Sequence, residues 1–149
     1  MPIKKILPPT YVLIAIVIMA VLHLLFPVTV IISLPWNVIG LLPLLLGIGI
    51  NLMADNALRK VKTTVKPFEE SSALVTSGVY RISRHPMYFG FVLILIGVAV
   101  IMGSLTPFLI VPAFAILIDV VFIRVEERML EDEFGRTWLN YKRQVRRWI

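Results

Sequence analysis

The chain has 149 residues, of which 58% are hydrophobic and only 16% charged, with a mean hydropathy of +0.89. A soluble domain carries about a quarter charged residues, so this chain cannot clothe a water-facing surface and much of its exterior must meet lipid. It contains no cysteine and carries a net charge of +6. The first fact excludes disulfides, thiolate nucleophiles and cysteine-ligated metals; the second, from the way the charge is distributed, reflects membrane topology, and nucleic acid is not an expected partner.

Lys4 and Lys5 precede an apolar run too long for the core of a cleavable signal, and no small-residue cleavage site follows it. The run reads as a first spanning helix from about Tyr11 to Ile32, interrupted by Pro27. A second apolar segment runs from about Trp36 to Met53 and contains Pro43, Gly47 and Gly49. Small residues such as these two glycines let helices approach closely, or let a cofactor do so. The third segment runs from about Met87 to Met102 and the fourth from about Leu105 to Ile123, with Pro107 and Pro112 inside it. Proline is tolerated in such helices because neighbours satisfy the freed backbone groups.

The links around Ser33–Pro35 and Gly103–Ser104 are short and uncharged, which predicts two helical hairpins. All 15 Lys and Arg residues lie at the N-terminus, between Asp55 and Arg84, or after Ile123. By the positive-inside rule these three stretches face the cytosol, and four spans satisfy that arrangement. The expected architecture is therefore all-α: a polytopic membrane protein with four transmembrane helices in two hairpins plus a cytosolic C-terminal amphipathic helix. As a single unit over 1–149 it divides into a first hairpin (1–54), a cytosolic loop (55–85), a second hairpin (86–123) and a cytosolic helix with a basic tail (124–149). Leu130, Phe134 and Trp138 recur at i, i+4 and i+8, which predicts one helix from Arg124 to about Asn140. Beyond it, Lys142, Arg143, Arg146 and Arg147, with Tyr141 and Trp148, read either as a solvated tail or as a contact for anionic headgroups.

Ionisable groups at membrane depth are functional suspects, and the spans hold Asp119 and His23, with Asn51 near a cytosolic end. Asp119 lies seven residues before Glu126, on the same helix face; it carries a direct role or is neutralised by a partner. For His23 an interhelical hydrogen bond is the alternative. The richest cluster runs from Leu74 to Gly90. Thr76-Ser-Gly78 reads as a turn, and Pro86 sits where a helix begins and His85 at its cap. The free N–H groups of such a helix start suit a carboxylate or phosphate. Arg81 and Arg84 add charge, and Tyr80 and Tyr88 add flat faces; an aromatic, basic interface belt would have the same composition. A second cluster, Arg124-Val-Glu-Glu-Arg128, sets two carboxylates where the fourth span leaves the membrane. They suit a ribose or a cationic ligand, or else are neutralised by Arg124, Arg128 or Arg84.

Together the two clusters resemble the isoprenylcysteine carboxyl methyltransferase family. The pattern is Leu-Val-Thr-Ser-Gly-Val-Tyr (74–80), Arg-His-Pro-x-Tyr-x-Gly (84–90), a helical hairpin, Glu126-Glu127, Phe134-Gly135, and Tyr-Lys-Arg-x-Val (141–145). It covers the chain from about Ser72 onward, and the phospholipid N-methyltransferases share a looser version. The resemblance implies S-adenosyl-L-methionine as cofactor, held beneath the 55–85 loop by Ser72, Ala73, Leu74, Val75, Tyr80, His85, Pro86, Met87, Tyr88 and Glu126. It implies methyl transfer to a hydrophobic or lipid-like acceptor at the cytosolic face of the bilayer, with Arg124, Glu127 and Asp119 as catalytic candidates and no metal. Where eukaryotic members carry a substrate-binding arginine one turn before the first glutamate, this chain has Phe122, with Arg124 two residues further on. That departure leaves the acceptor open between a prenyl-cysteine carboxylate, a phospholipid amine and a thiol. A carboxylate needs alignment more than acid–base help, whereas an amine or thiol needs a base such as His85, Glu127 or Asp119. Readings of another class are a small four-helix transporter with Asp119 as its coupling residue, and a membrane subunit without activity. A monomer is compatible with the sequence.

Overall fold

The computed structural model describes residues 7–63 and 72–149; Lys4, Lys5 and the middle of the central loop lie outside the described residues. Helix α1 spans Pro8–Leu25, α2 Leu41–Lys60, α3 Pro86–Met102, α4 Leu105–Ile118, α5 Arg124–Phe134 and α6 Arg136–Gln144. Short 3-10 turns at Trp36–Gly40 and Gly78–Arg81 precede α2 and α3, and a π-helical turn at Asp119–Ile123 joins α4 to α5. Among the described residues the one strand-like feature is a single bridge between Val30 and Ser104.

Three of these helical stretches are long and apolar enough to cross a membrane, Pro8–Leu25, Trp36–Lys60 and Leu105–Phe134, and Pro86–Met102 is a shorter apolar helix. The four apolar segments thus form four helices in two hairpins. Their outer faces carry large exposed apolar side chains, such as Leu24, Leu42, Leu109 and Ile116, each above 60% exposed. A patch of that extent is incompatible with water and fits lipid. Inside, Val12, Ala15 and Met19 of α1 pack with Phe91, Leu95 and Ala99 of α3 and with Phe114 and Ile118 of α4.

The α2–α3 pair is the tightest contact, and its seam is built of glycine. Gly40 lies against Gly97, and Gly47 against Gly90: a Cβ on Gly47 would stand 2.5 Å from the Gly90 carbonyl oxygen. Dispersion between two such close backbones needs no polar partner, the usual basis of helix association in lipid. Gly49 faces open space, so of the two glycines noted in the second segment one is a packing residue and the other is not. Asn51 donates from Nδ2 to the Gly47 carbonyl at 2.9 Å and leans on Gly90, closing the seam at its loop end.

Three expectations need correction. The first helix ends at Leu25, before Pro27, and the residues up to Ile32 run without helix alongside the second hairpin link: Ile31 N–H donates to the Gly103 carbonyl at 2.8 Å, and Leu105 N–H to the Thr29 carbonyl at 3.0 Å. Proline cannot donate a helical bond, and the two links satisfy each other's backbone instead. The second helix continues past Met53 to Lys60, where Ala54, Ala57, Leu58, Arg59 and Lys60 are good helix formers and Arg59 pairs with Asp55 one turn earlier at 2.6 Å. Finally, the C-terminal helix breaks at Gly135, whose φ of +48° and ψ of −119° are open to glycine alone. The predicted stripe is therefore shared by two helices, and Trp138 is only 1% exposed.

The helix from Leu105 to Phe134 has 30 residues. At ~1.5 Å per residue it is ~45 Å long, against a hydrocarbon core of ~30 Å. Its last third therefore projects beyond the bilayer and carries Glu126 and Glu127 with it.

Candidate active site

Helix α3 begins as its sequence predicts. Pro86 occupies the first position, where its missing N–H costs nothing, and the cap residue His85 donates its backbone N–H to Ser83 Oγ at 3.1 Å. This start fixes two consecutive side chains toward different sides. Met87 turns to a small apolar cluster with Ala54, Ala57, Leu58, Val75, Val79 and Tyr80 at the loop end of α2. Tyr88 turns to α5 and donates its hydroxyl to Glu126 Oε1 at 2.6 Å.

Around Tyr88 and His85 the charges interlock. His85, 5% exposed, presents Nε2 to Glu127 Oε1 at 3.3 Å and Nδ1 to Glu126 Oε2 at 3.6 Å. Burial alone would lower the pKa of this imidazole, but hydrogen bonding and proximity to the two glutamates more than offset it, so the pKa is raised. Both ring nitrogens facing carboxylates is the arrangement of an imidazolium. Glu127 also receives Arg84 Nη2 at 3.1 Å and Arg147 through Nε at 3.2 Å and Nη2 at 2.7 Å. Arg147 Nη1 continues to Asp119 Oδ1 at 3.0 Å, whose other oxygen takes Arg124 Nε at 2.9 Å. The guanidinium of Arg84 lies 5.7 Å from the centre of the Trp138 ring. Its Nε and Nη1 are buried without a hydrogen-bond partner among the described residues, and burial lowers its pKa.

The loop residues singled out by the sequence pattern sit beside this cluster. Val75 and Tyr80 are buried, Ala73 and Leu74 half-buried, and Ser72 is exposed with its hydroxyl donating to the Lys62 carbonyl at 3.2 Å. The Tyr141 hydroxyl donates to the Tyr80 carbonyl, which ties α6 to the loop. Tyr88 also borders an aromatic group in which Phe122 stacks edge-on to Tyr11, with ring centres 5.3 Å apart. Phe122 is thus a core residue at 0% exposure, and Arg124 does not stand in its direction: Arg124 is exposed, on the Asp119 side. There, Asp119, Arg84, Arg124 and Arg147 with Ala115, Ile116, Val120 and Trp148 line an open groove of about 600 Å³ whose walls are part charged and part apolar.

His85, Tyr88, Glu126 and Glu127 thus come together, and Asp119 and Arg124 join them through a residue that the pattern did not single out. Arg147 had read as part of a solvated or headgroup-binding tail, yet it enters the site, while Trp138 and Tyr141 are buried. Three carboxylates at a membrane edge demand cationic partners, and that demand was the one signal available. Arg128, offered as such a partner, is exposed. His23 sets its Nδ1 2.7 Å from Ser104 Oγ, the interhelical bond that was its alternative.

A profile of the phospholipid methyltransferase family matches residues 35–137, over half of the sequence. The chain belongs to that family. Among its relatives, protein-S-isoprenylcysteine O-methyltransferases B and A of Arabidopsis thaliana are 39% identical over 80 residues and 37% over 81. Each alignment covers 52% of this chain, and 39% and 40% of the relative respectively. In structure the chain is similar to the eukaryotic intramembrane Ras methyltransferase ICMT, an isoprenylcysteine carboxyl methyltransferase, with a TM-score of 0.69 and 27% identity over 94% of this chain and 51% of that one. The chain therefore spans about half, or less, of the length of these family members. The structural match extends the likeness to the N-terminal hairpin, which no motif reached, and agrees with an all-helical, multi-pass integral membrane fold.

Proposed function

We propose that the protein is an S-adenosyl-L-methionine-dependent methyltransferase that methylates a carboxylate on a hydrophobic, lipid-like acceptor, as the names of its relatives suggest. The observation that carries the choice of acceptor is that Glu127, Asp119 and His85 are all poor bases. Glu127 is held by Arg84, Arg147 and His85, and Asp119 by Arg124 and Arg147, while His85 is biased toward its charged form. An amine or thiol acceptor would have to surrender a proton. A carboxylate is already the nucleophile at neutral pH.

The residues present fit the methyl donor. Its carboxylate needs donors, and Arg84 has two buried N–H-bearing nitrogens without partners. Its cationic and hydroxyl-bearing parts need an acceptor, and Glu126, bound among the described residues by Tyr88 and His85 rather than by an arginine, offers one. Val75, Tyr80 and Met87 offer an apolar wall for an adenine, with Ser72, Ala73 and Leu74 along the same loop. When bound, the donor supplies a methyl group on a sulfonium for in-line displacement. The protein's share is alignment: Tyr88 and His85 fix Glu126, and Glu127 fixes His85. Ile116 and Val120, which line the groove and are exposed on its lipid-facing side, give an amphiphile its approach, and Arg124 would meet its anionic end. The loop and both termini face the cytosol in this reading, from which a soluble donor comes, and residues 1–149 act as one unit.

The test is transfer of labelled methyl by the purified protein in nanodiscs to three acceptors: an S-prenyl-cysteine, phosphatidylethanolamine and a small thiol. Alkali-labile label on the prenyl-cysteine is expected. Alkali-stable label on the amine or thiol would overturn carboxylate methylation.

A further inference from the structure

The segment after α6 folds back into the site. Arg84 N–H donates to the Arg146 carbonyl at 3.0 Å, and Ser83 Oγ donates to the Arg147 carbonyl at 3.1 Å. These bonds pin Arg147 beside the α3 start. Its guanidinium then bridges two helical stretches that α4 and α5 supply, with Nη1 on Asp119 in the π-helical turn and Nε and Nη2 on Glu127. The division of labour on Glu127 is uneven. Arg84 and His85 both approach Oε1. Among the described residues, Oε2 is held by Arg147 alone, at 2.7 Å.

We propose that Arg147 is a positioning residue: its fork fixes the rotation of Glu127, and through Glu127 the orientation of His85 toward Glu126 and the methyl donor. This rests on the methyltransferase reading above. A carboxylate held through one oxygen can swing about that contact; a guanidinium bound to both oxygens removes the freedom, because its nitrogens are rigidly spaced. A lysine would keep the charge and lose the fork. Asp119 serves as the second anchor, which gives this half-buried acid a function other than proton handling. The adjacent Arg146 offers an internal control, since it is exposed and contributes its backbone carbonyl rather than its side chain to the network.

The experiment is calorimetric titration of the purified full chain with S-adenosylhomocysteine, well below each variant's unfolding temperature. Arg147→Ala is expected to weaken binding about tenfold and Arg147→Lys about threefold, the scale of losing one charge-assisted hydrogen bond or part of one. Arg146→Ala is expected to bind within about twofold of the parent, as suits an exposed side chain. A merely structural role for Arg147 would lower the unfolding temperature and leave affinity in the folded protein unchanged, and that result overturns the proposal. Equal weakening in Arg146→Ala and Arg147→Lys overturns it too, since general basicity would then suffice. If Arg147→Ala does not fold, Arg147→Lys decides by the same criterion. A parent protein that fails to bind fells the methyltransferase reading and this inference together, whereas binding that ignores position 147 fells this inference alone.

Discussion

Replacing Gly47 and Gly49 one at a time by alanine should move stability in opposite directions, although the two residues lie in the same helix. Glycine inside a helix is worse than alanine by about 0.5–1 kcal/mol, so both substitutions start with that gain. At Gly49 a Cβ meets nothing within 4 Å, and the gain stands. At Gly47 the Cβ would lie 2.5 Å from the Gly90 carbonyl oxygen and 2.9 Å from both the backbone nitrogen and Cγ1 of Ile94. Two of those three atoms are backbone, so relief requires α2 and α3 to separate. Overpacking of this kind costs about 1–3 kcal/mol, which outweighs that gain and leaves Gly47→Ala up to about 2.5 kcal/mol less stable than the parent. Since the helix gain is common to both, the pair should differ by the overpacking cost, about 1–3 kcal/mol, or roughly 2–12 °C in unfolding temperature for a chain of this size. Thermal unfolding followed by circular dichroism in one detergent measures it. Since the loop end of α2 carries Ala54, Ala57 and Leu58 against Val75 and Tyr80, Gly47→Ala should also weaken donor binding. Equal shifts for the two variants, or a stabilised Gly47→Ala, would refute the close-packed glycine seam.

Tyr88→Phe deletes the 2.6 Å hydrogen bond to Glu126. A bond to a charged group contributes about 1.5–3 kcal/mol, and Glu126 is partly exposed, so the lower end applies and donor affinity should fall about tenfold; an unchanged dissociation constant would argue against Glu126 as the donor's partner. Because the pKa of His85 is raised, its stabilising contribution is full below an unfolded value of about 6.5 and is lost as pH rises through the folded value. The unfolding temperature of the parent should therefore fall more steeply on the alkaline side than that of His85→Gln, and parallel pH profiles would count against the imidazolium. Gly135→Ala forces a Cβ into a backbone conformation that costs about 1–3 kcal/mol. It should lower the unfolding temperature and expose Trp138 to fluorescence quenchers; unaltered quenching would mean that the α5–α6 break does not depend on glycine.

The spans were legible because apolar runs and the distribution of 15 basic residues are chain-local signals. The start of α3 was legible for the same reason: Pro86 and His85 announce it. The end of α1 is not legible in this way: Pro27 alone reads equally as a kink or a stop, and the pairing of Thr29–Ile32 with Gly103–Leu105 that decides it links residues some 70 positions apart. Gly135 stood within the pattern, yet the stripe from Leu130 to Trp138 is equally well served by one helix or by two. In the site, Glu126, Glu127, His85 and Tyr88 stand in recognisable motifs. Arg147 does not, because nothing in a run of basic residues says which of them turns inward. That choice is made by backbone bonds from Ser83 and Arg84, and such bonds leave no trace in composition or spacing.

The central claim is that the cluster of His85, Tyr88, Glu126 and Glu127 binds a methyl donor. Calorimetric titration of the purified protein with S-adenosyl-L-methionine, alongside His85→Ala and Glu126→Ala, tests it most directly. Saturable binding by the parent that weakens in both variants is the predicted result. Absence of binding by folded protein, in detergent and again in lipid, would contradict the claim and leave a methyltransferase fold without its cofactor.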